Sequence, residues 1–271
     1  MTVNDVVNVQ KFLRYPVHLV NFVRWKAGFC RRLRKYPPVF VYQMGKVASR
    51  SVSQSLARYY KGEVIHSHWF YPDIRPGESR ELFRYWHSDQ PPELLHIISL
   101  VRNPLERNIS AFFQNFSRYT GHKEGEPLPS VDELKIVFLE RFEHNIPLIW
   151  FDELIYKNFS IDVYAKTFPD KGFQYYSSGK VRLLIIRVEE NDDQKNKAIQ
   201  NFMNIPDFAL ERVNVSSEKN YGTLYKRFKQ EVRFSSSYID FLCNSKYFQH
   251  FYTANDEMTT RKKWQENYSN L

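Results

Sequence analysis

Four short strand-like runs punctuate the chain between residues 39 and 188, and helical patterns lie between them. The runs are Val39–Tyr42 (VFVY), Val64–His68 (VIHSH), His96–Val101 (HIISLV) and Arg182–Val188 (RLLIIRV). Runs so apolar read as strands covered on both faces. Between the first two, Ser51–Tyr60 places Val52, Leu56 and Tyr59 on one helical face. After the third, Asn103 reads as a helix cap, Pro104 as the first helical residue and Glu106 as the third residue past the cap. Strands that alternate with helices specify an α/β domain with a mostly parallel central sheet.

Pro37-Pro38 marks the start of that domain, which is expected over residues 38–271, with residues 1–37 as a helical lead-in. In the lead-in, Val17 to Phe29 is largely apolar, His18, Asn21 and Arg24 share one side, and Arg31, Arg32, Arg34 and Lys35 follow. This pattern fits a helix packed on the domain, the preferred reading, or a basic amphipathic helix resting on an anionic membrane. The Gly/Pro-rich segment TGHKEGEPLP at 120–129 opens an expected insert around 117–160, of the kind that often serves as a lid or substrate loop. Residues from Thr223 onward read as helical.

Composition narrows the partners. The chain has 39 Lys+Arg against 30 Asp+Glu, a net charge of +9, which favours anionic partners without choosing among them. Apolar runs such as Ile146–Phe151 are far shorter than the ~20 residues of a membrane span. No apolar block followed by small cleavage-site residues marks a leader. Cys30 and Cys243 have neither the number for a disulfide framework nor metal-site spacing. The expectation is a cytoplasmic protein that can touch the inner membrane face through its basic helix.

Two segments carry chemistry. Gln43-Met44-Gly45-Lys46-Val47-Ala48-Ser49-Arg50-Ser51 joins a strand to a helix. A turn of small residues there aims backbone N–H groups and a helix dipole at an anion, with Lys46 as a point charge and Ser49 and Ser51 as hydroxyl donors. It lacks the earlier glycine of the G-x-x-x-x-G-K-[ST] loop, and an ordinary strand–helix turn is the plain alternative. The second segment runs from Leu100 to Phe112: Arg102 ends a buried strand and Ser110 sits two turns into the next helix. An arginine at the carboxyl edge of a parallel sheet is placed where such folds bind ligands, and its planar fork suits phosphate. The plain alternative is an ion pair between Arg102 and Glu106.

Together, QMGKVASRSV and VRNPLERNISAF resemble the two cofactor signatures of sulfotransferases that use 3′-phosphoadenosine 5′-phosphosulfate (PAPS). The resemblance implies a P-loop-like three-layer α/β/α domain with helical additions. It assigns Gly45, Lys46, Val47, Ala48, Ser49, Arg50 and Ser51 to the 5′-phosphosulfate, and Arg102 and Ser110 to the 3′-phosphate. Arg50 is a departure, since many relatives have a small residue there. Val64-Ile65-His66-Ser67-His68-Trp69-Phe70 resembles the His-x-His segment of uronyl 2-O-type carbohydrate sulfotransferases, which makes His68 the base and gives His66 a supporting role. Both histidines would leave a strand on the same face, and histidine is suited to take a hydroxyl proton near neutral pH. A metal pair lacks a third ligand at recognisable spacing, and simple hydrogen bonding near the sheet is the plain alternative.

Weaker likenesses lie downstream. Leu184–Glu189 is similar to a later strand ending in an arginine and an acid. Asn214–Tyr221 resembles the polar loop that closes over the cofactor, and assigns Ser216 and Lys219 to it. The set, with Trp150-Phe151-Asp152-Glu153, also resembles bacterial capsular polysaccharide synthesis proteins. Glu153 is a candidate for acceptor binding or an alternative base, although helix capping explains Asp152-Glu153 as well. Trp69 is a candidate for stacking on a sugar. The run Lys226, Arg227, Lys229, Arg233 reads as a solvated helix face.

The expected function is sulfuryl transfer from PAPS to a carbohydrate hydroxyl, with an anionic capsular or surface polysaccharide as acceptor. Lys46 and His68 are its catalytic residues, and neither a metal nor nucleic acid is expected to take part. The competing expectations are a nucleotide-dependent kinase and a non-catalytic binder of anionic polymers.

Overall fold

A computed structural model describes residues 16–74, 77–211 and 221–266. Five strands form one sheet: β1 (Val39–Tyr42), β2 (Val64–Ser67), β3 (Leu95–Val101), β4 (Phe173–Ser178) and β5 (Val181–Arg187), in the order β2-β1-β3-β5-β4. Strands β2, β1, β3 and β5 are parallel, and β4 runs antiparallel along β5. All four runs read from the sequence are strands. β4 is an addition: QYYSS carries no apolar run, because an edge strand need not be covered on both faces.

Every residue of β1 and β3 is buried, so the sheet centre is the core centre. From β1 the chain crosses through α2 (Ser49–Tyr59), which packs on β1 and β2, and pairs β2 on one side of β1. After α3 (Glu78–Trp86) it returns as β3 on the other side. The connections leaving β1 and β3 therefore run toward opposite edges of the sheet, the switch point at whose carboxyl edge open α/β sheets take ligands.

α1 (Pro16–Lys35) precedes the sheet. It buries Phe29 and Leu33, ties Lys26 to Glu81 at 3.1 Å and Arg32 to Glu63, and leaves Val20 and Val23 exposed. No helix among the described residues is long and apolar enough to cross a membrane.

Beyond β3 come α4 (Pro104–Gln114) and α5 (Phe116–Thr120), then α6 (Val131–Arg141) and α7 (Ile146–Trp150). A π-helical turn over Phe151–Tyr156 leads into α8 (Lys157–Phe159). The stretch read as a lid-like insert is largely helical, and several of its apolar residues are core. Phe138, Trp150, Phe151 and Ile155 are all buried. The period-3.6 pattern in α6 is weak because Ile136 and Leu139 face solvent beside buried Leu134 and Phe138. Phe138 meets Phe112 of α4 at a ring-centroid distance of 5.3 Å and Phe234 at 5.6 Å. Phe138→Ala is expected to cost ~3–5 kcal/mol, read as a lowered urea midpoint; a loss below ~1 kcal/mol would contradict a core role for this ring.

α9 (Asp192–Met203), α10 (Gly222–Glu231), α11 (Ser236–Cys243), α12 (Lys246–Phe251) and α13 (Ala254–Trp264) complete the described chain. Asp152 and Glu153 do not cap a helix. They sit within the π-helical turn, where Asp152 pairs with Lys246 at 3.2 Å and Glu153 with Lys157.

Candidate active site at the carboxyl ends of the strands

The loop after β1 has an unusual backbone. Gly45, Lys46 and Ala48 all have positive φ, at 84°, 63° and 56°. For Lys46 and Ala48 this is the left-handed region, which costs an L-residue roughly 1–2 kcal/mol each and persists only where surroundings enforce it. Ala48 stands at the N-cap of α2 and offers no side chain to the first amides of the helix. Those amides and the positive end of the dipole are available to an anion. Glycine suits position 45 because its φ is positive, and it packs in ordinary contact beside the His68 ring.

β2 and the residue that follows it bring His66 and His68 to this loop, with ring centroids 5.8 Å apart. Gln43, only 1% exposed, connects them. Its side-chain oxygen accepts the Gly45 N–H, which orients the amide. Its Nε2 then faces His66 Nε2 at 3.2 Å and His68 Nδ1 at 2.8 Å, while its backbone oxygen is 2.8 Å from His68 Nδ1. The backbone oxygen can only accept and the side-chain Nε2 can only donate, so the two contacts at Nδ1 call for opposite tautomers; with the proton on Nδ1, His68 donates to the backbone oxygen and the Gln43 amide serves His66. That tautomer leaves the His68 Nε2 lone pair for a substrate proton.

His66 Nε2 also meets Ser49 Oγ at 2.8 Å, and Ser49 is buried. The Ser49 hydroxyl thus contacts His66 from the first position of α2, beside the loop amides. Burial, reinforced by the charges of His68 and Arg50, lowers the His66 pKa to about 4. Burial likewise lowers His96, in β3, to about 4. A histidine held neutral in the fold but protonated when unfolded weakens the fold as acid is added. Stability is expected to be undiminished by these groups above pH ~6.5 and to fall as pH drops toward about 4. Urea midpoints across this range check it, and His66→Gln should flatten the slope. An unchanged slope in that variant would contradict the assignment.

Arg102 leaves β3 beside the loop. Its Nη1 donates to the Lys46 carbonyl at 3.0 Å, and its Nη2 is 3.6 Å from Glu106. The ion pair read as the plain alternative is thus present, together with a contact that binds Arg102 to the anion loop. Asn103 caps α4, its side-chain oxygen accepting from the amides of Leu105 and Glu106. The Glu106 side chain does not return the bond, because Lys229, at 2.9 Å, and Lys263 engage it. Burial pushes the Glu106 carboxyl up, but these two lysines outweigh it and hold the group below its ordinary value. Lys229 therefore belongs to this charge cluster and not to a solvated face. Arg227, by contrast, is exposed and pairs with Glu231. Ser110 is half-buried on α4, one turn past Glu106.

The C-terminal helices hold this corner in place. Tyr247 Oη accepts the Arg102 N–H at 3.1 Å and donates to the Arg102 carbonyl at 2.9 Å. Glu189, whose carboxyl burial raises, accepts the Asn103 N–H at 2.8 Å and a bond from Tyr252 at 3.3 Å. Arg187 points elsewhere, to Glu190 and to Asp256 at 3.1 Å.

The structure thus brings together Gly45–Ser51, His66, His68 and Arg102. Sequence reading overlooked Gln43 and Arg107 as working parts; an arginine amid apolar helix residues was the available signal. Trp69 is 57% exposed and meets Tyr71 edge to face. Glu153 is exposed and paired with Lys157, and Ser216 and Lys219 lie outside the described residues. No group of three or more His, Cys, Asp or Glu among the described residues could hold a metal ion. A separate cavity of about 290 Å³, lined by Tyr175, Tyr176, Ser177, Arg182, Asn201 and Phe202, lies near the amino end of β5, away from Arg102.

Residues 130–253 match a family described as "Putative capsular polysaccharide synthesis protein". No curated protein and no solved structure matches the chain. The matched stretch includes Glu189, Lys229, Tyr247 and Tyr252, which hold the Arg102 corner, and it excludes the Lys46 loop and the histidines.

Proposed function

We propose that this protein transfers a sulfuryl group from PAPS to a hydroxyl of an anionic capsular or surface polysaccharide. The observation that carries the reading is the convergence of three things at one sheet edge. They are an anion-ready strand–helix loop, an arginine at the end of the neighbouring strand, and a histidine whose Nε2 keeps its lone pair when Nδ1–H donates to the Gln43 carbonyl. The likeness to a capsular polysaccharide synthesis family supports the polysaccharide acceptor.

In this reading Lys46 and the amides of residues 46–51 hold the 5′-phosphosulfate, while Arg102 and Ser110 hold the 3′-phosphate. His68 Nε2 takes the acceptor hydroxyl proton as that oxygen bonds to sulfur. The bond between sulfur and the bridging oxygen breaks, and its electron pair leaves on the 5′-phosphate. Lys46 and the loop amides neutralise that charge, the type of fixed electrostatics that dominates group transfer. His66 and Gln43 keep His68 in its working tautomer. Trp69 offers an exposed ring face to a sugar.

Thermal-shift titration separates the nucleotides. Stabilisation by 3′-phosphoadenosine 5′-phosphate (PAP), independent of magnesium and exceeding that by ADP or ATP, is expected; a ligand at ~100 times its dissociation constant adds about 2.7 kcal/mol. A preference for ATP with magnesium would replace this reading with a kinase. No response to any nucleotide would leave a polymer-binding protein.

A further inference from the structure

Arg107 is 5% exposed, yet it has a charged guanidinium. Its donors go to oxygens: Nη2 to the Met44 carbonyl at 2.6 Å, Nε to the Gly45 carbonyl at 3.3 Å and Nη1 to Asn108 Oδ1 at 3.0 Å. Tyr247, Tyr119 and Arg102 are the groups that act on it electrostatically, and no carboxylate among the described residues is one of them. Neighbouring Glu106 is occupied by Arg102, Lys229 and Lys263. Burial lowers the Arg107 pKa only to about 10, so the charge is present at neutral pH. A buried cation with no countercharge is costly, and an anion close by relieves that cost.

The contacts also dictate how the loop faces. In a trans peptide the C=O and N–H of one unit point in opposite directions. Arg107 draws the Gly45 carbonyl to its side, which turns the Lys46 amide away from it. Arg102 draws the Lys46 carbonyl, which turns the Val47 amide away in the same manner. Carbonyls collected by two arginines and amides turned outward make a concave anion receptor, and they account for positive φ at Lys46.

We infer that Arg107 is a positioning residue: it holds the loop carbonyls from beneath, turns the amides toward the ligand, and supplies buried positive charge that a bound phosphate or sulfate group neutralises. The inference rests on reading this loop as an anion site, but it does not require the anion to be PAPS.

The test uses the full chain, with inorganic pyrophosphate as the probe of the loop and PAP as the probe of the whole site. Arg107→Met should weaken pyrophosphate binding by about tenfold or more, the scale of losing charge-assisted bonds. Arg107→Lys keeps the charge and part of the carbonyl contact, and should recover most of that affinity. This rescue is a readout that a merely space-filling residue would not give; should the methionine variant fail to fold, Arg107→Gln takes its place as the charge-free reference. Wild-type affinity in Arg107→Met, or no recovery in Arg107→Lys relative to it, would overturn the inference. Wild-type protein that binds neither probe would overturn it too. If pyrophosphate binds with this dependence on Arg107 and PAP binds no better, the inference holds and the PAPS reading fails.

Discussion

Replacing His68 with alanine is expected to lower sulfuryl transfer by ~100-fold or more while leaving PAP affinity within about twofold, because it removes a general base and no phosphate contact. The separation follows from geometry. With its Nδ1 proton on the Gln43 backbone oxygen at 2.8 Å, His68 offers Nε2 to a substrate, and Gly45 lies against the ring edge. Initial rates with an acidic polysaccharide acceptor, set beside calorimetric PAP affinities, read the two effects independently. Transfer that survives in His68→Ala would mean the base lies elsewhere. Glu153 is poorly suited to replace it, because it is exposed and already paired with Lys157.

Lys46→Met has the second large effect. The substitution keeps an unbranched side chain, so it tests the ammonium more than the backbone. Removing a preorganised group that meets charge developing on a leaving group typically costs ~10²–10³ in kcat. The expected pattern is a fall in kcat of that order with a smaller rise in the KM for PAPS, since the charge on the departing phosphate grows toward the transition state. Rates within about threefold of wild type would remove Lys46 from the chemistry and leave the amides alone as the anion receptor.

The sheet was legible because parallel strands buried on both faces must be apolar runs, and VFVY, HIISLV and RLLIIRV admit little else. β4 was not legible, because an antiparallel edge strand such as FQYYSS shares its polar content with loops. Helix α6 was obscured by exposed Ile136 and Leu139, which blur the stripe that Leu134 and Phe138 make. In the site, Lys46, His68 and Arg102 could be named because their residue types and spacing near strand ends carry chemical meaning. Gln43 and Arg107 could not, since an amide and an arginine acquire their roles only when distant segments meet. Lys229 is a similar case: its meeting with Glu106 spans more than a hundred residues of chain, and helical periodicity says nothing about it.

The central claim is that PAPS lies between the Lys46 loop and the end of β3, and a crystal structure of the PAP complex tests it most directly. The account predicts the 5′-phosphate against the amides of residues 46–51 and Lys46, and the 3′-phosphate within hydrogen-bond reach of Arg102 and Ser110. His68 Nε2 should face the open side where an acceptor hydroxyl enters. PAP bound instead in the cavity of Tyr175, Arg182 and Phe202, or a 3′-phosphate that touches neither Arg102 nor Ser110, would contradict it.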